Sequence, residues 1–169
     1  MKFKGQNFFR TDLTEEEEKR LNSYRQKRLT HKPDILLLPS ERKCIIIELK
    51  GISISVSDYI NQVFKYASLI REFADEKFLV DEFYCYLIGQ DFSYDDIKRS
   101  QKDFNYDFSK TYMVYKSNSA IYGGEKRGDA KCRFVICRYS DLLNRAKLRN
   151  KIFTDKITTN HNDSGNYKF

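Results

Sequence analysis

The 169-residue sequence contains no tryptophan, two prolines, seven glycines, four cysteines and two histidines. So little glycine and proline excludes a collagen-like or Pro/Gly-rich disordered chain. The longest apolar runs, such as Ile35-Leu36-Leu37-Leu38 and Cys44-Ile45-Ile46-Ile47, are far too short to cross a bilayer, so a soluble protein with no membrane association is expected. The opening Met-Lys-Phe-Lys-Gly-Gln-Asn lacks the apolar core and small-residue cleavage site of a secretory signal, which makes the cytoplasm the expected location. Four cysteines are too few for a disulfide scaffold at this length, and Cys44, Cys85, Cys132 and Cys137 all fall in strand-like apolar stretches. Buried free thiols are expected. Zinc is not, because Cys132 and Cys137 lack knuckle spacing and His161 stands in a polar terminal stretch. His31 reads as a solvent-exposed or locally hydrogen-bonded residue.

What is present is 40% apolar, 33% charged and 15% aromatic side chains, enough for one domain with one core. The formal charge is +7, from 31 basic and 24 acidic residues. Residues 1–30 carry 8 basic and 5 acidic groups, residues 31–90 carry 7 and 9, and residues 91–169 carry 16 and 10. An acidic centre between basic flanks fits a chain that holds a cation or a phosphate centrally while its periphery neutralises a nucleic-acid backbone.

Thr14-Glu15-Glu16-Glu17 is a capping box that starts a helix ending near Arg28 or Leu29. Pro33 to Leu38 and Cys44 to Lys50 read as two central strands joined through the polar turn Pro39-Ser40-Glu41-Arg42-Lys43. Ser57-Asp58 opens a second helix through about Phe73, with Ile60, Val63, Phe64, Ala67 and Ile70 at helical spacing. Phe83 to Ile88 is a third apolar strand, followed by a polar stretch from Asp91 to Tyr106 with a short helix near Asp95. Thr111 to Tyr115 and Lys131 to Tyr139 are further strand candidates that can form a hairpin, and Gly123 to Gly128 between them reads as a mobile loop. That loop lacks the order of a phosphate-binding glycine motif, so nucleotide binding is not expected there. Ser140-Asp141 caps a basic helix through about Ile157, with Arg145, Lys147, Arg149 and Lys151 able to track a phosphate backbone. The domain is thus 1–157, with 158–169 a polar C-terminal tail. Among the aromatic residues, Tyr94, Tyr106, Tyr112 and Tyr115 lie amid lysines and are candidates for base stacking.

The chemistry concentrates in Pro33-Asp34-Ile35-Leu36-Leu37-Leu38 and Ile45-Ile46-Ile47-Glu48-Leu49-Lys50. Strand side chains alternate faces, so Glu48 and Lys50 point the same way, and Asp34 at the start of the adjoining antiparallel strand can sit opposite them. Two carboxylates and an ammonium at the edge of an apolar sheet are costly unless paired or bound to a metal. Asp34, Glu48 and the backbone carbonyl of Leu49 offer Mg²⁺ three hard oxygen ligands and leave positions for water and a phosphate oxygen. Metal coordination lowers the pKa of a bound water, and Lys50 is placed to orient it and offset negative charge as a phosphodiester is cleaved. Gln62 and Tyr66 are four apart on the following helix, beside Tyr59, and form a polar stripe suited to positioning a phosphate or a base. Glu17 or Glu18 on the first helix is a further candidate acidic ligand.

Pro33-Asp34 followed by Glu48-Leu49-Lys50 resembles the PD-(D/E)XK nuclease superfamily in its Glu form, and Gln62-Val63-Phe64-Lys65-Tyr66 resembles the QxxxY extension of its exonuclease-like branches. More narrowly, His31 to Tyr66 with Tyr86-Leu87-Ile88-Gly89 downstream is similar to the nuclease domain of Shedu-type antiphage defence proteins. The resemblance covers roughly residues 14–90. It implies an α/β restriction-endonuclease-like core, a central mixed sheet flanked by helices, and Mg²⁺- or Mn²⁺-dependent hydrolysis of DNA leaving a 5′-phosphate. By the same pattern Asp34 and Glu48 bind metal, Lys50 is catalytic, and Gln62 and Tyr66 are accessory. The sequence has no ATPase or sensor domain of the kind found in those defence proteins, so a partner ATPase or sensor subunit, excision from a larger protein, or a homo-oligomer stay open. The alternative is a non-catalytic nucleic-acid-binding or assembly domain with a nuclease-like fold.

Overall fold

The structure, a computed structural model, describes residues 2–3, 6–28, 33–38, 41–51, 56–90, 92–107 and 113–163, without the side chains of residues 2–3, 6–7, 24–28, 57 and 152–163. Leu29, His31, the Pro39-Ser40 half of the expected turn, Asp91, Thr111 and Tyr112 lie outside the described residues, as do the side chains of Ser57 and His161.

Two short strands, β1 (Lys2–Phe3) and β2 (Gln6–Asn7), pair antiparallel ahead of helix α1 (Glu15–Arg28). The capping box forms: the Glu17 N–H donates to Thr14 Oγ1 at 3.3 Å, and the Thr14 N–H donates back to Glu17 Oε2 at 2.9 Å. The antiparallel pair β3 (Ile35–Leu37) and β4 (Lys43–Leu49) follows, then helix α2 (Val56–Phe73), a 3₁₀ turn (Glu76–Phe78) and β5 (Glu82–Gly89). The rest of the chain is α3 (Tyr94–Ser100), β6 (Asn105–Tyr106), β7 (Val114–Ile121), α4 (Gly124–Arg127), β8 (Ala130–Arg138) and α5 (Tyr139–Asp163).

One six-stranded mixed sheet runs β3-β4-β5-β8-β7-β6. The pairs β4·β5 and β5·β8 are parallel and the others antiparallel. Parallel neighbours need a crossover, which α2 supplies between β4 and β5. Alternation puts Cys44, Ile46 and Glu48 of β4, Phe83, Cys85 and Leu87 of β5, and Cys132, Phe134 and Ile136 of β8 on one buried face. Helix α2 covers that face with Ile60, Val63, Ala67 and Ile70, all buried, and Phe64 stacks on Phe134 with ring centroids 5.2 Å apart. All four cysteines are free, buried thiols.

Four features differ from the sequence expectations. Of the two strands read as central, only β4 is interior; β3 is the sheet edge, with Ile35 40% and Leu37 49% exposed. Strand β7 runs on through the polar Lys116-Ser117-Asn118-Ser119, where a register shift and the left-handed Asn118 (φ 59°) absorb the irregularity. The Gly123–Gly128 segment is pinned, because Arg71 donates from Nη2 to the Arg127 carbonyl at 2.6 Å and from Nε to the Gly128 carbonyl at 3.2 Å. Helix α5 continues past Ile157 to Asp163, into the stretch read as tail. Among the described residues no helix is long and apolar enough to cross a membrane.

Candidate active site

Pairing of Ile35 with Ile47 and Leu37 with Ile45 brings Asp34, just before β3, alongside Glu48 near the end of β4. Asp34 Oδ2 accepts the Leu49 N–H at 2.7 Å, so its carboxylate takes up the backbone donor where the β3 ladder stops. Glu48 belongs to the buried face of β4 and is only 1% exposed. Its Oε1 receives the Lys50 Nζ at 2.5 Å, while its Oε2 is buried with no hydrogen-bond partner among the described residues. A carboxylate oxygen buried this way bears its full desolvation cost unless something fills the place beside it.

Lys50 Nζ lies 4.5 Å from the centroid of the Tyr59 ring, in the first turns of α2. Burial pushes the Lys50 ammonium down, but the hydrogen bond and charge of Glu48, with Tyr59 and Asp34 behind them, outweigh it and hold its pKa above the ordinary lysine value. Beside it is a crevice of about 20 Å³, room for about one water, lined by Lys50, Gly51, Val56, Tyr59, Leu87, Gly89, Gln90 and Phe92.

One and two helical turns on from Tyr59, Gln62 Nε2 donates to Tyr66 Oη at 2.7 Å, so the pair forms a joined unit on one helix face. The buried Tyr66 hydroxyl is held above its usual pKa chiefly by burial; the Gln62 hydrogen bond opposes this, and the charges of Glu48, Lys50 and Asp34 all reach it. Asp34, Glu48, Lys50, Gln62 and Tyr66 therefore share one electrostatic neighbourhood. Tyr139, the first residue of α5, also feels Asp34: burial raises its pKa most, and the Asp34 charge adds to that.

Of the two first-helix acids, Glu17 is elsewhere. Glu17 is buried in an ion pair with Arg10 at 2.5 Å and a second with Lys126 at 3.2 Å. It lines a cavity of about 330 Å³ shared with Arg20, Glu72 and the Tyr122–Lys126 segment, at the end of α2 remote from Tyr59. Its carboxyl is lowered to about 2, first by the Thr14 N–H and then, against burial, by Arg10 and Lys126. Glu18 is exposed on α1.

Of the other residues singled out in the sequence, Tyr94 is buried, donates to Asp141 Oδ2 at 2.7 Å and has Arg138 4.6 Å from its ring centroid, which makes it a structural brace. Tyr115 lies under Arg133, and Tyr106 donates to Asp95. Arg145, Lys147, Arg149 and Lys151 are exposed on α5.

The donor set suits a hard divalent cation: two carboxylates side by side, one with an unsatisfied buried oxygen, next to the Leu49 backbone. Among the described residues no group of three or more His, Cys, Asp or Glu side chains is placed to hold a metal. Sequence reasoning missed Tyr59 as the partner of Lys50, although its place three residues before Gln62 was a usable signal. It also missed Arg71, a charged residue within the buried spacing of α2. No family model, curated protein or solved structure matches the chain.

Proposed function

We propose that this chain is a metal-dependent nuclease of the PD-(D/E)XK superfamily, with a restriction-endonuclease-like core, that hydrolyses DNA phosphodiester bonds. The observation that carries the reading is the joint placement of Asp34, Glu48 and Lys50, with one oxygen of the buried Glu48 carboxylate left without a partner. Mg²⁺ or Mn²⁺, held by Asp34, Glu48 and the Leu49 carbonyl, would supply the positive charge that stabilises negative charge developing on the phosphate. Lys50 orients the attacking water and donates to a phosphate oxygen as charge builds there. The Gln62–Tyr66 pair holds a neighbouring phosphate or base edge by hydrogen bonding. Water forms the new bond to phosphorus and the bond to the 3′ oxygen breaks, leaving a 5′-phosphate and a 3′-hydroxyl. By the same resemblance the setting is cytoplasmic antiphage defence, with a partner ATPase or sensor subunit or a homo-oligomer completing the machine.

One observation favours the alternative of a non-catalytic nucleic-acid-binding domain: Glu17 is engaged by Arg10 and Lys126, so that among the described residues the site has two carboxylates. Incubating the protein with linear and circular DNA separates the readings. Cleavage that requires Mg²⁺ or Mn²⁺ and disappears with chelator and in Lys50→Ala is expected. Cleavage that persists in either control contradicts the proposal, and salt-dependent DNA binding without metal binding favours the alternative.

A further inference from the structure

The Lys50 side chain is long and only 19% exposed, and Glu48 holds its ammonium through an ion pair, one contact that cannot orient it. On the other side stands Tyr59, whose ring packs against the core and carries the ammonium 4.5 Å from its centroid. The ring is fixed by α2, the same helix that presents Gln62 and Tyr66. An ammonium over an aromatic face is attracted to the ring quadrupole, and this attraction survives when a competing cation weakens the contact with Glu48. We infer that Tyr59 is the positioning residue for Lys50: its ring is the seat that keeps the ammonium at the site when Glu48 turns to another cation.

The inference rests on the nuclease reading for its kinetic consequence, but the seat itself is a property of the chain. A cation–π contact of this kind corresponds to about a 3- to 30-fold change in the seated population. Tyr59→Leu should therefore lower kcat about 3- to 30-fold, with KM and Mn²⁺ affinity unchanged. Tyr59→Phe, which keeps the ring, should retain wild-type kcat.

A readout independent of activity uses the wild-type protein with its lysines reductively dimethylated with ¹³C, which preserves their charge. The signal missing from Lys50→Arg identifies Lys50, and ring current should shift it upfield in wild type and Tyr59→Phe but not in Tyr59→Leu. A Lys50 signal at the ordinary lysine position in wild type overturns the inference, whether or not either Tyr59 variant folds. So does a folded Tyr59→Leu protein that cleaves as fast as wild type, or a Tyr59→Phe protein as slow as Tyr59→Leu. An upfield Lys50 signal in a wild-type protein that cleaves nothing supports the seat and refutes the nuclease reading.

Discussion

Replacing Glu48 by Gln separates a metal ligand from a structural ion pair. In the metal-free protein the change has two opposing effects. It replaces the charged carboxylate, whose Oε2 is buried without a partner, by a neutral amide whose polar atom takes the same place, relieving the part of the desolvation that comes from the charge, about 1–3 kcal/mol. It also weakens the Lys50 contact, which is 2.5 Å long with the lysine 19% exposed. The amide oxygen still accepts from Nζ, so the loss is the charge-assisted part of one hydrogen bond, about 1 kcal/mol. The balance predicts a variant equal to wild type or up to about 2 kcal/mol more stable in chelator. At 169 residues, 2 kcal/mol is a rise in Tm of roughly 4–8 °C. Adding Mn²⁺ at ten times its Kd should stabilise wild type by about 1.4 kcal/mol, or roughly 3–6 °C, and leave Glu48→Gln unmoved. Differential scanning calorimetry in chelator and in Mn²⁺ reads both effects. A variant destabilised by more than about 1 kcal/mol in chelator, with the Mn²⁺ shift intact, would show that Glu48 serves the fold and not a cation.

Other consequences follow from the surrounding structure. Arg71 is 7% exposed and donates to the carbonyls of Val80, Arg127 and Gly128 as well as to Asp81. Arg71→Leu leaves those acceptors unmet, and urea unfolding should show a loss of about 3–5 kcal/mol; a loss below about 1 kcal/mol contradicts the pinning of the 123–128 segment. Glu17 has its folded pKa depressed to about 2, so its contribution is full above the ordinary glutamate value and is lost as pH falls toward 2. Acid titration of stability should therefore be flatter between about pH 5 and 2 in Glu17→Gln, and identical slopes would contradict the assignment. Burial raises the Cys44 thiol to about 12 and that of Cys137 to about 11, so in native protein near neutral pH both should react with an aromatic disulfide reagent far more slowly than in denaturant. Rapid native labelling of either would refute their burial.

What could be read from the sequence was what neighbouring residues decide. The Thr14-Glu17 box starts α1 because both hydrogen bonds close within one turn. The two apolar runs of the hairpin, Ile35 to Leu37 and Cys44 to Ile47, pair in the register that puts Asp34 beside Glu48, because strand alternation leaves little freedom in a short hairpin. Gln62 and Tyr66 meet because four residues make about one helical turn. What was illegible depends on distant parts of the chain. The fate of Glu17 is set by Arg10 and by Lys126, a residue more than one hundred positions away, and no local signal in α1 announces it. The edge position of β3 follows from the order of the whole sheet, in which β5 and β8 take the other side of β4. The polar middle of β7 conceals a strand because its pairing with β8 shifts register there.

The most direct test of the central claim is a Mn²⁺ titration followed by electron paramagnetic resonance on wild type, Asp34→Asn, Glu48→Gln and Lys50→Ala. Wild type should bind one ion, both carboxylate variants should lose it, and Lys50→Ala should bind at least as tightly as wild type because it removes the cation that shares Glu48. A wild-type protein that binds no Mn²⁺, or carboxylate variants that bind it as well as wild type, would contradict the account.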